Sequence, residues 1–114
     1  MDLINRTLLT LRPNENFLEW LHQTSEENAK VEEEELWEDS NAYLIKEVDS
    51  ESDLEEILKS RYQELFVAEL SDWVEDDQLW PEDLSFETFC EYFQVEVQTV
   101  VIDLVDSPIN KEEY

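Results

Sequence analysis

Thirty-two acidic side chains stand against seven basic ones, a formal net charge of −25 on 114 residues. No other feature constrains folding so strongly. Self-repulsion opposes compaction at this charge, so a packed core requires many apolar residues spaced so that the acids fall outside it. The chain meets the first condition: it is 41% hydrophobic and 11% aromatic, with four Trp, four Tyr and five Phe. Disordered acidic chains lack these residues. The length suits one small domain, which we expect over residues 1–106, with 107–114 as a flexible C-terminal tail.

The same charge restricts partners. It argues against direct binding of DNA or RNA and against anionic membranes. A basic protein surface is the expected partner, met with fast, salt-sensitive association. The N-terminus "MDLINRTLLTLRPNENF" lacks the basic start and apolar core of a signal peptide. No apolar run approaches the ~20 residues needed to span a bilayer. With a single cysteine, Cys90, nothing implies an oxidising compartment, and a cytoplasmic location is expected. Glycine is absent. Turns needing positive φ are therefore expected at Asn or Asp, and glycine-rich phosphate loops are excluded.

"RTLLTLRP", residues 6–13, reads as a first strand closed by Pro13. Asn14 is a candidate cap for a short helix over 15–23, with Phe17, Leu18 and Leu21 on one face. Residues 24–40 read as a loop ending in a short helical turn. A second strand follows at 41–48, with Tyr43 and Ile45 on one face. In "SESDLEEILKSRYQELFVAELSDWV", Ser52 and Glu55 have capping-box spacing. Leu54, Ile57, Leu58, Tyr62, Leu65, Phe66, Glu69 and Trp73 then step along one stripe, predicting a helix of about five turns. Glu55 and Lys59 form an i, i+4 pair. After the acidic turn around Pro81, Ser85 starts another helix, with Phe86, Phe89, Cys90 and Phe93 on its apolar stripe. The β-branched run at 95–106 predicts a last strand. It is apolar on both faces from Val100 to Leu104, which points to the middle of the sheet or a dimer interface. The order implies an α+β domain: a small antiparallel or mixed sheet of about three strands, packed against helices on one face.

The residues offer little to chemistry. His22, the only histidine, lies at a helix end, where a cation is favoured. Cys90 sits among phenylalanines, where a free cysteine acts as a small hydrophobe; a reactive thiolate needs a positive neighbourhood. No Cys/His pairs stand at zinc-ligand spacing, and "SDWVEDDQLWPED" lacks the ligand order and glycine of a calcium loop. Carboxylate pairs occur by chance in so acidic a chain and do not specify a hydrolase. We expect no catalytic residue, no metal and no cofactor. Trp73 belongs on the long helix's apolar stripe. Trp37 and Trp80, set among acids, are the better candidates for a binding surface.

The acids are clustered. Residues 26–56 hold fourteen acids against Lys30 and Lys46, and 72–83 hold six acids with no base. Solubility needs a net charge of only about 2–8, and a basic partner would offset the excess repulsion. The expected partner-binding residues are Glu32, Glu33, Glu34, Glu35, Trp37, Glu38, Asp39, Asp76, Asp77 and Trp80. Carboxylates at i, i+3 and i+4 lie ~5–6 Å apart and can imitate the phosphate row of a duplex. In size and charge the chain is similar to the small acidic bacterial and phage proteins that mimic DNA. The segments "QLWPEDLSFETFCEYFQVEV" and "VVIDLVDSPINKEEY" resemble an uncharacterised family of small acidic bacterial proteins. That resemblance implies a bacterial cytosolic origin and no activity. The expected function is a non-enzymatic acidic module that binds a basic protein, such as a nucleic-acid-binding one. The alternative is a homodimeric structural protein, associating through a sheet edge or the Val100–Leu104 face. A carboxylate-dependent hydrolase ranks third.

Overall fold

A computed structural model describes residues 1–114 as an α+β fold. Strand β1 covers Asp2–Leu3 and β2 Arg6–Pro13. Helix α1 covers Glu15–Thr24, and a single 3-10 turn leads to α2 at Glu33–Glu38. Strand β3 is Ala42–Lys46 and α3 is Glu51–Trp73. Helix α4, Phe86–Tyr92, runs directly into β4, Phe93–Gln98, and β5 is Ile102–Asp103.

Three antiparallel strands form the main sheet in the order β3-β2-β4. Leu9 lies opposite Tyr43 on one side and Val97 on the other. β2 alternates cleanly: Thr7, Leu9 and Leu11 are buried, while Arg6, Leu8 and Thr10 are half-buried and Arg12 is exposed. The odd-numbered positions face the helices, as expected for a sheet covered on one side.

The expected position of the last strand is corrected here. β2 takes the centre, and β4 is an edge. The ladder breaks after Gln98, so Val100–Leu104 lies outside the three-stranded sheet, where Ile102 pairs with Leu3 in a two-stranded ribbon. A central strand needs hydrogen-bonding partners on both edges, and only β2 has them.

Helix starts follow local chemistry. The Asn14 carbonyl oxygen accepts from Asn16 N–H at 3.0 Å, satisfying a donor the first turn leaves free. The cap of α3 is Ser50, not Ser52: Ser50 Oγ accepts from Asp53 N–H at 3.2 Å, and the Asp53 carboxylate accepts from Asp49 N–H at 3.2 Å. At 23 residues α3 also runs beyond the expected five turns. Ser85 caps α4 as expected, accepting from Thr88 N–H at 3.2 Å. Asp83 accepts from the Ser85 N–H and the Thr88 hydroxyl. These bonds, Thr88's first, hold the Asp83 carboxyl below its usual range.

No residue takes positive φ, so the turns expected at Asn or Asp in the left-handed region do not occur. The helices end instead on extended residues: Ser25, Val74 and Phe93 follow α1, α3 and α4 with β-region dihedrals. A chain without glycine thereby avoids the left-handed cap that many helices use.

All four helices contribute to one core, including Phe17 and Leu21 of α1, Leu36 of α2, Phe66 and Leu70 of α3 and Phe89 of α4. Its centre is aromatic. Phe66 meets Phe89, Tyr92 and Phe93 edge-on at ring-centroid distances of 5.7, 5.7 and 5.8 Å. Such edge-to-face pairs are favourable beyond the area they bury. No helix is long and apolar enough to cross a membrane.

Candidate functional site

The acidic stretch at 32–39 is an ordered helix with a buried tether. Glu32 precedes α2 with an extended backbone, and Glu33, Glu34 and Glu35 fill the first turn, where the helix dipole favours negative charge. Leu36 is buried at 1% exposure and fixes α2 to the core. The Ser40 hydroxyl donates to the Leu36 and Trp37 carbonyls at 3.2 and 3.1 Å, closing the C-terminal end. Glu38 and Asp39 are exposed there. Trp37 is 38% exposed. The Arg12 guanidinium lies 3.8 Å from its ring centroid, and its indole N–H donates to the Pro13 carbonyl at 3.4 Å.

Asp76 and Asp77 are exposed, in and just before a 3-10 turn at 77–79. Trp80 is less available than its acidic neighbours suggest. Its indole N–H donates to the Val74 carbonyl at 2.8 Å, and its ring packs against the core. Trp20 anchors the same segment through the Leu79 carbonyl at 3.0 Å. No hydrogen bond or ion pair joins this segment to α2, so the two acidic clusters are displayed separately. Only three ion pairs form: Arg12–Glu96, Lys59–Glu55 and Arg61–Glu64, at 3.8, 3.0 and 2.9 Å, all with exposed partners. Almost every acid is therefore left without an internal counter-charge.

The sequence reading placed Glu69 on the apolar stripe of α3 without assigning it a role. It is buried at 6% exposure. Asn41 Nδ2 donates to Glu69 Oε2 at 3.0 Å and also to Asp72 Oδ2. Burial pushes the Glu69 carboxyl up to about 7; the Asn41 bond opposes this, and the charge of Asp72 adds to it. The neighbouring Tyr43 hydroxyl is buried with no hydrogen-bond partner. Burial, then the Glu69 charge, raises its pKa above the ordinary phenol value. The Tyr114 hydroxyl donates to Asp72 Oδ1 at 2.7 Å, tying the last residue to this group.

A cleft of about 960 Å³ runs between β3 and α3. Tyr43, Ile45, Ile57 and Leu65 give it apolar walls, and Arg6, Lys46 and Arg61 bring three of the chain's seven bases to it. Arg61 is already paired with Glu64. Glu69 is not among the lining residues, so the cleft adds no raised carboxylate to a hydrolytic reading.

His22 serves the fold, bonding through Nε2 to the Val31 carbonyl at 2.7 Å across the 3-10 turn. Cys90, expected on the apolar stripe, is exposed. Its thiol pKa is raised, first by partial burial and then by Glu55. Alkylation of Cys90 at neutral pH should be slower than that of free cysteine, accelerating towards alkaline pH. A rate equal to free cysteine in a stopped-time iodoacetamide assay would contradict this local field. No group of three or more His, Cys, Asp or Glu side chains is placed to hold a metal ion.

No family model, no curated protein and no solved structure matches the chain.

Proposed function

We propose that the chain is a non-enzymatic acidic module that binds a basic protein, of the kind that itself binds nucleic acid. The observation that carries this reading is α2. Its acids do not belong to a loose run, because Leu36 is buried beneath them and holds the helix in place. Glu34 and Glu38, and Glu35 and Glu38, stand at i, i+4 and i, i+3. Carboxylates at that spacing form a row on a rigid support, so a cationic partner meets a preorganised charge array, and less ordering entropy is lost on binding. Trp37, partly exposed beside them, supplies an aromatic anchor of the type enriched at interfaces.

Repulsion between unpaired acids favours the bound state, since a basic partner relieves it. Complementary charge also accelerates encounter, with a rate that falls as salt rises. The test captures proteins from a bacterial lysate on the immobilised wild-type chain, on a Glu32–Glu35 charge-reversed variant and on polyglutamate. Basic proteins held beyond the polyglutamate control, and released by salt, are the expected catch. The charge reversal should weaken their binding at least about tenfold, a loss near 1.4 kcal/mol, and flatten its salt dependence. An unchanged affinity removes α2 as the site, and a catch equal to polyglutamate removes the proposal.

A further inference from the structure

The sheet has a second face that no helix covers. Every strand residue in the core cluster or packed against it in β2 to β4 is odd-numbered: Leu9, Leu11, Tyr43, Ile45, Val95, Val97 and Phe93. The even-numbered residues make the opposite face. Leu8 lies between Leu44 and Gln98, and Thr10 between Ala42 and Glu96. Leu44 is 49% exposed. The β1–β5 ribbon extends the same pair of chain segments, held by Ile4 N–H to the Val101 carbonyl at 3.0 Å. It adds the cross-strand pair Leu3 and Ile102, 72% and 47% exposed.

This face inverts the charge of the rest of the molecule. It carries Arg6, Arg12 and Lys46, three of seven bases, and only Glu96 of 32 acids. The bases stand at its ends, with Arg6 opposite Lys46 and Arg12 opposite Gln94. Its middle is uncharged apart from Glu96, which Arg12 approaches at 3.8 Å. An uncharged, partly apolar centre with a charged rim is how protein interfaces are built.

We infer that this open face is where two copies of the chain associate, sheet against sheet. Charge selects the occupant. Two bodies of net charge −25 cannot bring their helical layers together without opposing acid to acid. Stacked sheets lie ~10 Å apart and send the helical layers outward. The thinnest dimension of one molecule is 25 Å, several times the ~8 Å Debye length at physiological salt, so the outer acids of the two copies are screened from each other. The cationic rim of each copy meets the acids that surround the other's face. The size is adequate: three strands at ~4.8 Å and eight residues at ~3.3 Å make a plate of about 14 by 26 Å. With the ribbon and side-chain relief, this is of the order of the ~800 Å² per partner found in stable interfaces. The inference does not depend on the proposed binding of a basic protein.

Sedimentation velocity in physiological salt tests it, on the wild type, Leu44→Glu, Ile102→Glu and the control Val67→Glu. Val67 is 40% exposed on α3, on the helical side. Interfaces of ordinary size bind in the micromolar range or tighter, so a dimer is expected at about 100 μM protein. Both face variants should weaken it at least about tenfold with an unchanged far-UV spectrum, while Val67→Glu leaves it intact. Two variants guard against one simply unfolding its strand. A wild type that stays monomeric at that concentration overturns the inference. So does a dimer that both folded face variants leave unaltered.

Discussion

Phe66→Ala is expected to lower the unfolding free energy by about 3–5 kcal/mol, the usual cost of emptying a phenylalanine site in a core. Phe66 has 0% exposure and touches three other aromatic rings edge-on. Those rings come from α4 and β4, so the cavity would open where α3 is seated on the rest of the core. Domains hold about 0.05–0.15 kcal/mol per residue, which for 114 residues is about 6–17 kcal/mol. The substitution therefore removes a large fraction of the total, in a molecule already opposed by its own charge. The neighbouring Val67, 40% exposed, gives the contrast: Val67→Ala should shift stability by only about 0.5 kcal/mol. Urea titrations of both variants, fitted with a common slope, measure the difference. A loss below about 1 kcal/mol for Phe66→Ala would mean that α3 does not rest on this aromatic cluster.

Much of this arrangement is legible in sequence because it is local. Asn14 and Ser85 announce their helices through capping chemistry that needs only the next three residues. The alternation in "RTLLTLRP" separates the buried Leu9 and Leu11 from Leu8 and Arg12 without any knowledge of partners. Where two local signals compete, the sequence alone offers no choice. Ser50-x-x-Asp53 and Ser52-x-x-Glu55 are equally good boxes. Tertiary structure selects the first: Val48 N–H is held by the Thr7 hydroxyl at 3.2 Å, and the helix begins as soon as the chain leaves that contact. Strand order is a matter of pairing. The density of valine and isoleucine near 95–104 suggests burial on both sides, yet the ladder breaks after Gln98 and Val100 is 67% exposed. Cys90 was misplaced for a geometric reason. Its spacing from Phe86 fits the stripe, but on a seven-residue helix the buried line is narrow and runs through Phe89.

The candidate site divides in the same way. The acids of α2 are visible as composition, and Leu36 and Trp37 as their anchor. Trp80 looked equally available, because no local signal reveals that its N–H is taken by Val74. The open sheet face becomes visible only when alternating residues from three separated segments are aligned by their register. Glu69 did leave a trace, as an acid standing on an apolar stripe. Its partner Asn41 is 28 positions earlier, beyond any helical or strand period, so the trace could not be turned into a contact.

Glu69→Gln is expected to stabilise the fold, and to do so increasingly as pH rises. The Glu69 carboxyl titrates near 7 in the folded protein, against an ordinary value of 4.5. Between those values the folded state holds a proton that the unfolded state has released, so unfolding free energy falls as pH rises through this window. Each pKa unit corresponds to 1.36 kcal/mol, and the wild type should lose about 2 kcal/mol from this group between about pH 5 and pH 8. Glutamine keeps the volume and retains an oxygen to accept from Asn41, but has no charge to bury. The variant's advantage should therefore be small at pH 5 and about 2–3 kcal/mol at pH 8, seen as a melting temperature several degrees higher. Taking the difference between the two proteins at each pH removes the repulsion among the surface acids, which both share. Asn41→Asp should do the opposite, since a third carboxylate beside Glu69 and Asp72 replaces the one donor that bridges them. An advantage for Glu69→Gln that is the same at pH 5 and pH 8 would show that Glu69 is ionised in the folded protein across that range, and that Asn41 and the surrounding structure solvate its charge as well as water does.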